Sequence, residues 1–259
     1  MLACCLLLIV GTVLIAWAQQ PRPPQSGARP NSSNSRANER IPQFTQIHVR
    51  GAIDVEYRQT PNRRNISFSG SQDLVALVST QVRQGCLHIG FKKEVRNMGK
   101  RRLKVIVSSP TLESVRVDGS GDFISKGTIR GNRLSVVASG SGDINCSNVL
   151  YNSITAALNG SGEIDLNGIR CNDVSMVVNG SGDIDTSGKV RIARLTVSGS
   201  GKIDAAKLIA DNAEAAVAGS GKIQCFAVRS LKATTSGSGR IEYYGSPANK
   251  QLQGRVRKV

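Results

Sequence analysis

The sequence predicts an all-β protein whose main body is a parallel β-helix with about 20 residues per coil. Three observations carry this reading. The tripeptide Gly-Ser-Gly occurs seven times, beginning at Gly119, Gly140, Gly160, Gly180, Gly199, Gly219 and Gly237. A repeat of that length marks a solenoid, in which each unit can bury its apolar face only against its neighbours. The position four residues after each first glycine reads Phe123, Ile144, Ile164, Ile184, Ile203, Ile223 and Ile241. Before each motif the apolar residues alternate strictly, as in Val174, Met176, Val178 and Ala193, Leu195, Val197. A period of two belongs to a strand with one buried face and fits no helix. A flexible Gly/Ser linker would not carry a phased Ile and Val ladder.

The elements follow in chain order. Residues 1–18 read as a signal peptide, since the apolar run from Leu2 ends in Ala16-Trp17-Ala18, a small-x-small cleavage pattern. No Lys or Arg precedes the run, so an uncleaved membrane anchor is the other reading, although the run is short of the about 20 residues a spanning helix needs. Residues 19–40 are rich in Pro, Ser, Asn and Arg without apolar periodicity and read as a disordered tether. Residues 41–118 hold alternating stretches such as Ile53, Val55, Tyr57 and Leu103, Val105, Val107, separated by turn signals. They read as a β segment whose weaker coils cap the solenoid, with Gly51 and Gly70 as candidate markers of those coils. Residues 119–249 are the repeat itself, and 250–259 form a basic tail. In the repeat, Val178, Gly180, Gly182 and Ile184 are expected inside, and Asn179, Ser181, Asp183 and Asp185 outside.

The formal charge of +16 is not spread over the coil. Residues 19–118 carry a net +10, residues 119–249 only +2, and the tail adds Lys250, Arg255, Arg257 and Lys258. Much of the excess lies in one run, from Lys92 and Lys93 to Lys100, Arg101 and Arg102. That run could hold anionic lipid, lipopolysaccharide or nucleic acid phosphates; the plain alternative is a solvated hairpin loop. With Phe91 the one aromatic residue nearby, base stacking has no support, and nucleic acid is not an expected partner.

Stacking the coils gathers carboxylates on the outer face. Asp143, Glu163, Asp165, Asp183 and Asp185 fall within a few strand spacings, followed by Lys202. Like charges about 5 Å apart repel by roughly 0.8 kcal/mol in water. A hard cation such as Ca²⁺ could relieve that repulsion, and so could solvent, salt and Lys202. No sequence motif calls for a cofactor. Catalysis finds little footing: every candidate Asp occupies a repeating position, His48 and His88 lie in strand-like stretches, and neither CxxC nor HExxH occurs. Cys146 and Cys225 hold equivalent places four coils apart, beyond disulfide reach, so the cysteines read as free thiols.

A signal-like start, FTQIHVRGAIDVEY, CLHIGF before LKVIVSSPTLESVRVDGSGD, and serial Gly-Ser-Gly-Asp/Glu/Lys-Ile ending in GSGRIEYYG together resemble the head GIN domain of bacterial auto-transporter adhesins over about residues 41–245. The resemblance implies a right-handed β-helix and a periplasmic, outer-membrane or extracellular location. It also implies adhesin-like binding without catalytic residues. The resulting expectation is a non-enzymatic exported module whose partner is a polysaccharide or an envelope or extracellular protein. Membrane contact would run through an uncleaved N-terminus or the basic segments. A structural or sensory envelope domain that self-associates into a homo-oligomer, and a carbohydrate-active enzyme on a β-helix, are the alternatives.

Overall fold

The strand Glu163–Gly180 shows why the repeat folds as it does. Its inward residues Val174, Met176 and Val178 are all but fully buried, while Ser175, Val177 and Asn179 between them are not. A strand with one apolar face needs a neighbour on each edge, and here both neighbours are adjacent coils of the same chain. Ile154 lies beside Val174 and Val174 beside Ala193, in parallel register. The column Phe123, Ile144, Ile164, Ile184, Ile203, Ile223 and Ile241 runs the length of the repeat with none of its members exposed. The result is a parallel β-solenoid of about seven turns with roughly 20 residues per turn. Each turn drains the apolar face of the one before it.

The Gly-Ser-Gly corner has a specific steric cause. Gly180 has φ +131°, and a β-carbon there would lie 2.6 Å from the Gly160 carbonyl oxygen. That oxygen accepts the N–H groups of both Ser181 and Gly182 at 3.0 Å. At Gly182 a β-carbon would meet the Gly162 carbonyl at 2.4 Å and Leu158 Cδ2 at 2.7 Å. The second glycine therefore faces the core as expected. The first does not: its open side faces the preceding coil, because the corner packs backbone on backbone along the axis.

The computed structural model describes residues 34–35, 41–93 and 103–259. The signal-like start, the tether apart from Asn34–Ser35, and Lys100, Arg101 and Arg102 lie outside the described residues. Before the repeat, chain order and stacking order part. Gln46–Arg50 and Asp54–Gln59 form one coil. It lies between Ser114–Gly119 with Phe123–Ser125 on one side and Cys86–Phe91 with Leu103–Ser109 on the other, all parallel. Asn65–Gly70 and Val78–Arg83, joined by the short helix Gln72–Leu77, run antiparallel to Leu103–Ser109 and Cys86–Phe91. Gly51 thus continues the glycine column, since the Gly121 N–H bonds its carbonyl at 3.1 Å. Gly70 does not: it sits at the end of an antiparallel strand opposite Leu103. At the other end, Asn249–Gln253 and Val256–Lys258 add a last, mostly exposed coil, parallel to Ser230–Thr234 and Ile241–Tyr243.

Cys86, Cys146, Cys171 and Cys225 are unpaired. Cys146 and Cys225 lie in one buried column with Leu166, Thr186 and Ala205. Burial pushes both thiols up to about 12, which makes them packing residues.

Candidate functional site

The outer face carries two adjacent columns, set by the alternation of the strand that follows each corner. One column reads Asp122, Asp143, Glu163, Asp183, Lys202, Lys222 and Arg240. The other reads Asn145, Asp165, Asp185, Asp204, Gln224 and Glu242. In-register stacking turns a sequence pattern into an electrostatic gradient along the axis.

At the acidic end part of the first column serves the backbone. Asp54 Oδ1 accepts the Asp122 N–H, Asp122 Oδ1 the Asp143 N–H, and Asp143 Oδ1 the Glu163 N–H, at 3.2, 3.1 and 2.9 Å. From Asp183 onward the equivalent N–H bonds the carbonyl of a corner glycine. Within this patch of five, the oxygens close enough to share one ion belong to three residues. Glu163, Asp165 and Asp185 each bring one oxygen within 4.8 Å of the others, while Asp143 is engaged with backbone and Asp183 is the register partner of Glu163. Among the described residues this is where three potential metal ligands converge. Burial, and then Asp165, Asp185, Asp143 and Asp183, push the Glu163 carboxyl up. Burial and Asp185 do the same to Asp165, against a 3.1 Å hydrogen bond donated by Asn145 Nδ2. Lys202 bonds Asp204 at 2.9 Å and stands 3.8 Å from Asp185 Oδ1.

At the basic end the same outward position is inverted. The Glu242 side chain is only 5 % exposed and receives Lys222 at 2.8 Å and Arg257 Nε at 3.1 Å, with Arg240 at 3.5 Å. The bond from Lys222, aided by Arg257 and opposed by burial, holds its carboxyl down at about 2. Arg257 belongs to the basic tail, so part of that tail's charge is spent locking the last coil to the stack. Glu242 lies in the outer column that the repeat sets, but its three cationic neighbours come from three different coils.

A third cluster lies near the other end, and sequence reasoning missed it. His48 Nε2 is 2.6 Å from Asp118 Oδ2, and Arg116 Nε donates to both Asp118 oxygens at 2.9 Å. Burial pushes the Asp118 carboxyl up, but the bonds from Arg116 and His48 outweigh it and hold the group below its usual range. The His48 and His88 rings lie 5.5 Å apart. The 40 residues separating them in sequence correspond to two coils only by coincidence, because the strand bearing His88 stacks out of chain order. Of the basic run, Lys92 Nζ donates to the Ala76 carbonyl at the end of the short helix at 2.8 Å, a C-terminal cap. Lys93 lines a cleft with Arg50 and His88.

With this geometry in hand, relatives can be compared. The family model described as "putative auto-transporter adhesin, head GIN domain" matches residues 43–247. The chain belongs to this family. Among solved structures, a "putative lipid binding protein" from Parabacteroides distasonis is 29 % identical, with TM-score 0.77, over 85 % of this chain and 94 % of that one. A "putative adhesin" from Parabacteroides merdae is 25 % identical, with TM-score 0.80, over 85 % and 93 %. Another "putative adhesin", from Bacteroides fragilis, is 27 % identical, with TM-score 0.63, over 85 % and 92 %. No curated protein is significantly similar to the chain. The head GIN match spans the capping strands and all seven corners, so it covers the coil geometry from which the columns arise.

Proposed function

We propose that this head GIN domain is a non-enzymatic, exported envelope or surface module that binds a polysaccharide or an envelope or extracellular protein through its outer columns. The observation that carries the reading is the in-register repetition of hydrogen-bonding side chains along one axis. Asn179 Nδ2 donates to Asn159 Oδ1 at 2.9 Å, Asn172 pairs with Asn152, and Ser187 Oγ donates to Asn167 Oδ1 at 3.0 Å, each pair 20 residues apart in sequence. Equivalent groups thus recur at the strand spacing of about 4.8 Å. A rigid row of that kind suits a ligand that is itself repetitive, because many weak contacts add without new ordering cost. The adhesin names of the family and of its solved relatives support a binding role and a surface location.

The test is an array of polymeric and monomeric glycans probed with the chain carrying its basic tail. Binding to polymers that falls steeply as the oligomer is shortened is the expected result. Absence of binding to any glycan, with a strictly concentration-dependent oligomer in light scattering, would favour the self-associating envelope domain. Release of reducing ends from a polysaccharide, abolished by Asp183→Ala, would make the protein a carbohydrate-active enzyme.

A further inference from the structure

The antiparallel strand Val78–Arg83 does more than cover an edge: with the corner after Arg50 and the end of Cys86–Phe91 it encloses a cleft of about 440 Å³. That size falls among small-molecule sites, which run from about 300 to 1,000 Å³. Arg50, His88 and Lys93 bring cationic or protonatable groups to its lining, Ser79 and Gln81 bring neutral hydrogen-bonding groups, and among the described residues no Asp or Glu lines it. The Phe91 ring stands 3.7 Å from where a Gly51 β-carbon would be, so an apolar wall closes one side.

Among the described residues, some cations elsewhere on the molecule are engaged and others, such as Arg170 and Lys189, are not. Arg116, Arg191, Lys202, Lys222, Lys232 and Arg257 all hold carboxylates. Among the described residues Arg50 and Lys93 hold none, and both are exposed. The register partner of Arg50 is Asp118, whose oxygens are already taken by His48 and Arg116. His88 Nδ1 is buried without a hydrogen-bond partner. Two cations that hold no carboxylate and an imidazole, around a hollow that no described carboxylate lines, form a receptor for negative charge.

We propose that this cleft binds the oxyanion substituent of a sugar, a carboxylate, sulfate ester or phosphate ester, with Arg50 and Lys93 as fixed charges and His88 as a titrating one. The proposal rests on the binding-module reading and specifies an acidic ligand for it. A sugar is favoured over a membrane surface because the exposed large apolar residues, Ile209, Val228, Leu252 and Val259, belong to later coils and none borders the cleft.

Proton linkage follows from the surroundings. His88 faces His48 and Arg50 from one neighbouring strand and Gln81 and Arg83 from the other, with Lys93 beyond its own strand and Asp118 behind His48. Burial, and then His48, Arg50 and Arg83, hold the His88 imidazole below its usual range, so it is neutral at pH 7 and takes up a proton when an anion arrives. Affinity therefore rises as pH falls.

Calorimetric titration of the chain with glucose 6-phosphate, glucose 6-sulfate, glucuronate, glucose and inorganic phosphate tests this. Acidic sugars should bind and glucose should not. Arg50→Gln and Lys93→Gln, both at exposed positions, should each weaken binding about tenfold without changing the melting curve. Binding of glucose 6-sulfate, whose charge is constant over this range, should tighten several-fold from pH 7.5 to pH 5.5, and His88→Gln should remove that dependence. Lys232→Gln, on later coils, should change nothing. No binding of any acidic sugar, or undiminished binding in Arg50→Gln, overturns the site. Inorganic phosphate binding as tightly as the sugar phosphate overturns the sugar, and Arg50-dependent capture by phosphatidylglycerol vesicles without binding of soluble sugars shows a lipid headgroup instead. Polymer binding on the array that persists in Arg50→Gln would sink this cleft and leave the module standing.

Discussion

Glu163 and Glu242 both point outward from the strand that follows a Gly-Ser-Gly corner, yet the fold treats them oppositely. Glu163 stacks among Asp165, Asp183 and Asp185, and its carboxyl is pushed up by burial and by those neighbours. Glu242 stacks between Gln224 and Arg257 with Lys222 reaching across to it, and its carboxyl is pulled down to about 2. The two stand in neighbouring outer columns, and Asp165, in the same column as Glu242, is pushed up as Glu163 is, so a column has no fixed electrostatic character. The residues one coil away decide it, because parallel register sets side chains of equivalent rank about 4.8 Å apart.

Both stations exist only while the register holds. Ile184→Asp places an unpaired charge in the buried column and should cost about 4 kcal/mol or more, erasing both. The expected outcome is no soluble folded protein by circular dichroism, and an unchanged melting curve would mean that the two faces had been exchanged.

A smaller change separates the stations. Glu242→Gln leaves Lys222 and Arg257 without their buried anion and should cost about 2 kcal/mol, a fall in Tm of roughly 4–8 °C. Glu163→Gln removes one member of a repulsive group and should raise Tm by roughly 1–2 °C, about 0.5 kcal/mol once solvent screening is allowed for. Equal signs in the two variants would break the comparison.

Titration gives the same contrast through linkage. A depressed carboxyl stabilises the fold above its ordinary range and loses that contribution as pH falls. The deficit of Glu242→Gln should therefore be full at pH 7, shrink below about pH 4.5 and vanish near pH 2. A raised carboxyl destabilises the fold once ionised, so the gain of Glu163→Gln should be present at pH 7 and disappear first as the solution is acidified. Chemical denaturation across that range measures both. The smallest effect concerns cations: with Lys202 and Asn145 already serving the acidic station, millimolar Ca²⁺ should raise Tm no more than NaCl of equal ionic strength. A Ca²⁺-specific rise lost in Glu163→Gln would place a divalent ion there.

Within the repeat, much was legible in the residues. The Ile column, the alternation and the sign change from Asp183 to Lys202 can be read directly, because each Gly-Ser-Gly corner resets the phase and errors cannot accumulate unseen. What could not be read was the region before Gly119. Gly51 and Gly70 look equally like coil markers, and only Gly51 is one.

The residues alone determined the solenoid, its buried column and the order of outer charges, since local alternation and a constant period dictate what stacks on what. Tertiary structure decided where the strand bearing His88 lies, which carboxylate holds Arg257, and that Arg50 and Lys93 are left facing a hollow. Antiparallel strands and a coil threaded out of chain order bear no fixed phase to the repeat, so their partners are chosen by three-dimensional packing and by which charges remain unpaired once the stack has closed.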